Sequence, residues 1–330
     1  MSKYRDSEKE RVPEIMCFNG DCFNGEFNKI TRDFVLSDWK NNFYKPILTD
    51  VLDYFKHNNI SWWNGKEPTG HVLSSQIACI NHLFAIRKDR DAVLAVAKTI
   101  CNDIEDVLPI PTDNYLSAFI AFEAVSDNDL LKEGIPTRGS NCTSIDALIL
   151  AKNKDKKVIL IPIEWKYTEY YDNTDKSMED GQGHAAGSQR SGIVRLSRYS
   201  DLINKSTQLK EKHRNYTSTI YFFEPFYQLM RQTLWTEQMI KYKQNERIKA
   251  DDFIHVHVIL CENHDLLKDD LKENKRKKGY GDGKSLEEAW RSCLKNNDKY
   301  KIISPKDLLI NIDKTKHNEI ISYLSERYWK

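Results

Sequence analysis

Apolar and polar positions in this chain follow two different periods, and the change between them divides it. From Ser74 or Ser75, either of which offers a hydroxyl N-cap, Ile77, Ile80, Leu83, Phe84 and Ile86 recur at helical spacing. Arg87–Arg90 breaks this pattern with charge, and Asp91–Ile100 resumes it as a second helix. Strand-length runs follow: Tyr115–Val125 with Glu123 embedded, Ser140–Leu150, and Val158–Tyr167, the last two joined by the charged turn Lys152–Lys157. Helical spacing returns in Val194–Ile203 and more strongly in Pro225–Gln244, where Pro225 stands at the start. Ser218–Phe226 reads as a strand or strand end, and Asp251–Asn263 as a buried strand with His255 and His257 on one face. Ser285 caps a further helix, and Ser304–Leu309 and His317–Trp329 complete the helical set. No internal repeat occurs. The order helix, β-meander, helix, strand predicts an α/β domain around a mixed central sheet.

The flanks differ from this core. Residues 1–70 read as irregular but rich in aromatics, among them Phe18, Phe23, Phe27, Trp39, Trp62 and Trp63. That composition predicts an extension packed on the core rather than a disordered tail. Asn58–Val72 reads as loop. The expected division is an N-terminal extension (1–70), a core (71–265) and a C-terminal helical extension (266–330), together one compact unit. Thr168–Gly192 is polar and carries Gly181, Gly183 and Gly187 with almost no apolar anchor after Tyr171, so it is expected to be mobile until a ligand orders it. Lys268–Lys284 reads as a charged loop.

Composition narrows the function classes. The chain has 330 residues, 40% hydrophobic and 30% charged, enough for a sizeable core. A formal net charge of +1 gives no global basic field, so a nucleic-acid partner would need a local basic groove. Seven cysteines occur without a C-x-x-C pair, and the nearest two, Cys17 and Cys22, lack partners at zinc spacing. They read as free thiols of a reducing cytosol. The start, MSKYRDSEKER, has no apolar segment of secretory type, and no run is long enough to cross a bilayer, so no membrane role is expected and the location is read as cytoplasmic. No phosphate-binding G-x-x-x-x-G-K-[ST] motif appears, which excludes an ATPase motor of that kind.

The candidate chemistry lies in Thr137–Thr168. Asp146 sits inside one apolar run, and Glu164 and Lys166 close the next. Strand alternation places Glu164 and Lys166 on one face and Trp165 on the other, and the short turn would bring Asp146 beside them. Two carboxylates so grouped suit a hard divalent cation, typically Mg²⁺, and the ammonium suits developing negative charge. The bland alternative is a strand pair with surface charges. It fits poorly, because a run such as VILIPIEW seldom carries an interior charge without a partner. His255 and His257 could bind a transition metal, but no third ligand at motif spacing accompanies them, so they read as core histidines.

The arrangement Asp146, Glu164-x-Lys166 resembles the PD-(D/E)XK nuclease superfamily, the restriction-endonuclease-like fold. Ile145 stands where that motif usually has Pro. The wording of Ser74–Phe84, Thr137–Ile149, Ile161–Glu169 and Glu224–Met239 is similar to one bacterial branch of the superfamily, over roughly Ser74 to Cys261. The resemblance implies a restriction-endonuclease-like core, a mixed central sheet flanked by helices, with N-terminal and C-terminal extensions. It implies a nuclease hydrolysing phosphodiester bonds of nucleic acid, DNA in the first place, through a metal-activated water. Asp146 and Glu164 would then be ligands of Mg²⁺, with Mn²⁺ as a substitute, and Lys166 would stabilise the phosphorane and orient the water. Branches of the superfamily complete the site with a Glu one strand earlier or on the first helix. The first helix here offers Gln76 and Asn81 instead, which leaves Glu123 as the third carboxylate; an edge-strand charge or an ion pair with Arg138 remains its alternative. A homodimer is open, since nucleases that cut both strands often pair. The alternative function is a nucleic-acid-binding or defence-associated protein of the same fold with weak or no catalysis.

Phosphate contacts dominate nucleic-acid affinity, and several groups are candidates. Arg138, with Gly139, Ser140, Asn141 and Thr143, approaches the Asp146 strand. Gln189, Arg190, Arg195 and Arg198, together with Gln228, Arg231 and Gln232, follow the E-x-K strand. Arg195 and Arg198 are three apart, on one helix face. For each group a solvated surface is the competing reading, as it is for the run Lys272–Lys278.

Overall fold

The computed structural model describes residues 2–18, 20–63, 65–111, 118–136, 138, 142–171, 175–177, 191–210, 220–268 and 285–329. The expected mixed sheet with flanking helices is present. Its centre is an antiparallel pair, β5 (Ile145–Asn153) and β6 (Val158–Lys166), turned through Lys156 at φ 65°. On the outer side of β5 lie β3 (Ile104–Leu108) and β4 (Ile120–Ala124), both antiparallel to it and pairing with different parts of it. On the outer side of β6 lie β7 (Asp252–Phe253) and β8 (His255–Ile259), both parallel to it, followed by β9 (Tyr300–Ile303), parallel to β8.

Side-chain alternation splits the centre of this sheet between two cores. Ala147, Ile149, Ile161, Ile163 and Trp165 join one cluster with helices α2 (Leu48–His57), α3 (Ser75–Leu83) and α4 (Arg90–Ile100). Leu148, Leu150 and Leu160 join the other with α5 (Ser191–Lys205), α6 (Phe226–Lys241) and the helix Leu286–Cys293. A sheet covered on both faces explains why β6 reads as a nearly unbroken apolar run. Ser74 caps α3 by accepting from the Ile77 N–H, and α6 starts at Pro225.

Several elements depart from the sequence reading. The segment 1–70 is not irregular throughout: it holds α1 (Lys3–Arg11) and α2. α1 has no apolar stripe to betray it. A Ser2 cap, the pairs Lys9–Asp6 and Arg11–Glu8, and distant anchors support it instead. Ser2 Oγ and the Tyr4 N–H both donate to Asp265 at 2.8 Å, Tyr167 donates to Glu8 at 2.8 Å, and Arg5 donates to the Thr168 carbonyl at 3.1 Å. α1 is therefore fastened to the segment that leaves β6. Ser218–Phe226 holds a 3₁₀ turn, Ile220–Phe222, rather than a strand; a short apolar run does not by itself fix the period of its backbone. β3 and β9 had no counterpart in the sequence reading. The two-strand hairpin β1 (Glu26–Phe27) and β2 (Ile30–Thr31) turns through Asn28 at φ 53° and Lys29 at φ 62°, the paired left-handed residues of a type I′ turn. All seven cysteines are free thiols. Among the described residues no helix is long and apolar enough to cross a membrane.

Candidate active site

The register of the sheet sets three carboxylates in a row. Phe122 pairs with Ala147 and Ala124 with Ile145, so Glu123 faces Asp146 across β4 and β5. Ala147 pairs with Ile163, and one step beyond, Asp146 comes level with Glu164 of β6. Neighbouring strands lie about 4.8 Å apart, so the row brings three acids together where burial strengthens their repulsion. Lys166 follows two residues after Glu164 on the same face. Trp165 points the other way, its ring 4.7 Å from that of His82 on α3.

Each group is held by specific partners. Lys166 Nζ lies 2.5 Å from Glu164 Oε1, donates to Gln228 Oε1 at 2.6 Å, and stands 5.7 Å from the centre of the Tyr171 ring. Gln232, one helical turn beyond Gln228 on α6, donates to Glu164 and accepts from His255 Nε2 at 2.6 Å. Asp146 Oδ2 accepts the Trp165 N–H at 2.7 Å. Glu123 accepts from Gln76 of α3 at 2.7 Å and from Ser144 at 2.8 Å. Glu123 has φ 48°, a left-handed conformation rare for Glu and unusual inside a strand. Strain of this kind persists where surrounding contacts over-determine it and clusters at functional sites.

Electrostatics follow from burial and crowding. Burial raises the Asp146 pKa well above its ordinary value, and Glu164 and then Glu123 add to the rise; Lys166 and the Trp165 N–H oppose it. Burial also raises Glu123, with Glu164 adding, against the hydrogen bonds from Gln76 and Ser144. For Lys166 burial is the largest influence and favours the neutral amine, but Glu164, Tyr171, Glu169 and Asp146 outweigh it and hold the ammonium above its usual range. His255 is lowered to about 4 by burial and is neutral, in keeping with its place as a core histidine; burial also holds His257, hydrogen-bonded to Tyr300, well below its ordinary value.

The row opens into two adjoining spaces that share Ser75, Glu123, Asp146, Lys166 and Gln228. One, of about 230 Å³, is also lined by Glu164, Arg231 and Gln232. The other, of about 500 Å³, reaches Arg5, Phe27, Trp63 and His71. Among the described residues no group of three or more His, Cys, Asp or Glu is placed so that it could hold a metal ion, and each of the three carboxylates accepts a hydrogen bond from the chain itself. The donor chemistry suits a hard divalent cation: three carboxylates from neighbouring strands, two of them with pKa values raised by burial and, after it, by neighbouring negative charge.

The structure thus brings Asp146, Glu164, Lys166 and Glu123 together. Arg231 lines the smaller space beside them but is ion-paired to Glu133 at 2.9 Å, and the other candidate arginines among the described residues make contacts elsewhere. Arg138 donates to the carbonyls of Glu123 (3.0 Å) and Phe122 (2.5 Å), to Asn58 (2.8 Å) and to the Tyr54 hydroxyl (3.0 Å), so it clamps the backbone around Glu123. Arg195 donates to the Lys176 carbonyl and lies over the Tyr227 ring. Arg198 lines a separate cavity of about 690 Å³, so the two share a helix but not a surroundings. Gln189 and Arg190, most of Thr168–Gly192, residues 139–141 and the run Lys272–Lys278 lie outside the described residues. Ser144, the clasp of Gln76 on Glu123, the link from Gln232 to His255, and the wall of Phe27, Trp63 and His71 were not read from the sequence. All four are contacts between distant segments, and only the strand register could have pointed to the first.

Residues 6–329 match the family model described as Restriction Endonuclease associating with ARP. No curated protein and no solved structure matches the chain.

Proposed function

The chain belongs to the family Restriction Endonuclease associating with ARP, and from that premise we propose a nuclease of the PD-(D/E)XK kind that hydrolyses phosphodiester bonds of DNA with Mg²⁺ or Mn²⁺. The observation that carries this reading is the convergence of Asp146, Glu164 and Lys166, with Glu123 opposite Asp146, at the floor of an open cavity. Asp146 and Glu164 would hold the cation, with Glu123 as third carboxylate. Such a cation polarises the phosphoryl oxygen and makes water a better nucleophile.

The chain's own residues supply the rest. Lys166 offers a permanently charged ammonium, pre-oriented by Glu164 and Gln228, beside the place where phosphorane charge develops. Gln232, fixed by His255, orients the Glu164 carboxylate. Gln76 and Ser144 do the same for Glu123. Arg138 maintains the left-handed backbone that aims it.

A second reading, nucleic-acid binding with weak or no catalysis, has one observation in its favour: Lys166 and Gln232 engage Glu164 directly, which is also how a purely structural buried ion pair would look. The two readings separate in a cleavage panel of plasmid and oligonucleotides with Mg²⁺, Mn²⁺ or EDTA. The nuclease reading expects metal-dependent cleavage that Asp146→Asn and Lys166→Ala both abolish, with binding retained. Binding without cleavage under every metal condition would leave the second reading in place.

A further inference from the structure

Beside the carboxylate row, the larger cavity has an aromatic wall. Phe27, presented by the tight β1–β2 hairpin, stacks on Trp63 with ring centres 5.3 Å apart and planes 19° apart. His71 meets Phe27 edge to face at 5.0 Å. Burial, followed by the charge of Arg5, lowers the His71 pKa to about 4, and its Nδ1 accepts the Leu73 N–H at 3.2 Å. It is therefore a neutral ring rather than a general acid. Trp63 is 58% exposed even with Phe27 stacked on it, and among the described residues it is the one tryptophan so exposed. A half-exposed indole backed by a second ring keeps apolar surface in water that a planar ligand would cover.

The wall is coupled to the candidate site by a short chain of hydrogen bonds. The main-chain N–H of Trp63 donates to Gln76 Oε1 at 3.2 Å, and the Gln76 side-chain amide donates to Glu123 at 2.7 Å. Arg5, on the same cavity, adds a positive charge. Aromatic rings, a cation and the carboxylate–lysine floor thus line one space of about 500 Å³, within the range of small-ligand pockets. A base that is paired inside a duplex hides both π-faces against its neighbours. Away from a duplex end, only an unpaired base can lay a face on an indole.

We propose that Trp63, with Phe27 and His71, is a stacking subsite for one unpaired base next to the scissile phosphate, so that the strand acted on is single-stranded or locally unpaired DNA. The proposal rests on the nuclease reading for its scissile phosphate, but its binding half stands or falls separately. The test uses the full chain and a fluorescein-labelled 12-nucleotide single strand, against the blunt duplex of the same sequence. Anisotropy is read in Ca²⁺ and cleavage in Mg²⁺ and Mn²⁺. The single strand is expected to bind more tightly than the duplex. Trp63→Ala is expected to weaken single-strand binding by about 5- to 150-fold, the range for loss of one stacked base. Trp63→Phe, which keeps a stacking face, should retain most of the affinity. Trp63 is exposed, so the fold should survive, and an unchanged melting temperature checks this. Unchanged single-strand affinity in Trp63→Ala, or duplex bound as tightly as the single strand and equally weakened, overturns the subsite. Failure of the nuclease reading looks different: wild type cleaves neither substrate, while the Trp63 effect on binding still decides the subsite. A wild type that binds neither substrate overturns both.

Discussion

Replacing Lys166 with methionine removes the ammonium while keeping most of the side chain's length. The ammonium lies 2.5 Å from Glu164, and both side chains are 7% exposed. At an effective dielectric of about 20, two unit charges at that distance attract by about 7 kcal/mol before desolvation is subtracted. In Lys166→Met that attraction vanishes, while Glu164 stays buried beside Asp146 and Glu123. Removing one partner of a buried pair costs about 3–5 kcal/mol for this reason. Unfolding entropy of about 2.1 cal/mol/K per residue gives about 0.7 kcal/mol/K for 330 residues, so a chain melting as one unit should lose about 4–7 °C. The pKa of Lys166 is raised in the fold, so its contribution is fully present below the unfolded value of about 10.5 and is lost only as pH rises through the folded one. An assay at pH 7.5 therefore reads all of it. The double variant with Glu164→Gln should recover much of the loss, since no uncompensated charge remains. If the carboxylates do hold a cation, 10 mM Mg²⁺ should raise the melting temperature of Lys166→Met more than that of wild type, the added charge standing in for the lost one. Calorimetry of wild type, Lys166→Met and the double variant with and without Mg²⁺ measures these terms. A Lys166→Met variant within 1 °C of wild type, with no gain from the double variant, would refute the idea that this ammonium compensates the row.

Three further outcomes follow from the same geometry. Asp146 has a raised pKa, so its contribution to stability is present below the unfolded value of about 3.8 and lost as pH rises through the folded one; Asp146→Asn should therefore melt higher than wild type at pH 8, lose that advantage near pH 3.5, and not cleave. A lower melting temperature for this variant at pH 8 would count against the repulsion. Gln232→Leu leaves Glu164 and His255 without their shared partner and should cost about 1–3 kcal/mol in denaturant unfolding, with a fall in cleavage rate rather than in affinity; a loss of affinity at full rate would contradict a positioning role. Arg138→Met leaves the Phe122 and Glu123 carbonyls short of a donor and should cost at least about 2 kcal/mol without changing nucleic-acid affinity, whereas weaker binding at unchanged stability would make Arg138 a phosphate contact.

The centre of the site was legible because it is local. Asp146, Glu164 and Lys166 lie within one β-hairpin, where a two-residue period and a short turn fix the relative faces, and the uneasy charge inside VILIPIEW marks the spot. Glu123 came from the resemblance together with the absence of an acid on α3, and the ladder then places it opposite Asp146. The illegible parts are long-range. β3 and β9 are short, and their partners, in β5 and β8, lie far along the chain. α1 carries no apolar stripe, so its helical period is silent. Arg138 reads equally as a phosphate contact or a turn with a surface arginine, because sequence shows an arginine beside Gly and Ser; it does not show the four acceptors that surround its guanidinium. In sequence the glutamines of α6 read either as nucleic-acid backbone contacts or as a solvated helix face; their register along the helix delivers them to Lys166 and Glu164.

The fastening of α1 has a consequence for synthesis. Tyr4 and its anchor Asp265 are 261 positions apart. At about 5–20 residues per second of translation, α1 leaves the ribosome roughly 13–50 s before the partner it will clasp. An apolar helix kept waiting that long would expose a sticky face to its neighbours. This one is built from charges, and its two ion pairs in the fold lie within its own turns; a polar segment can wait in water at little risk. The clasp around the end of β6 is thus completed late, after the strands that carry the acids have been made, and the element that completes it is the one least harmed by delay.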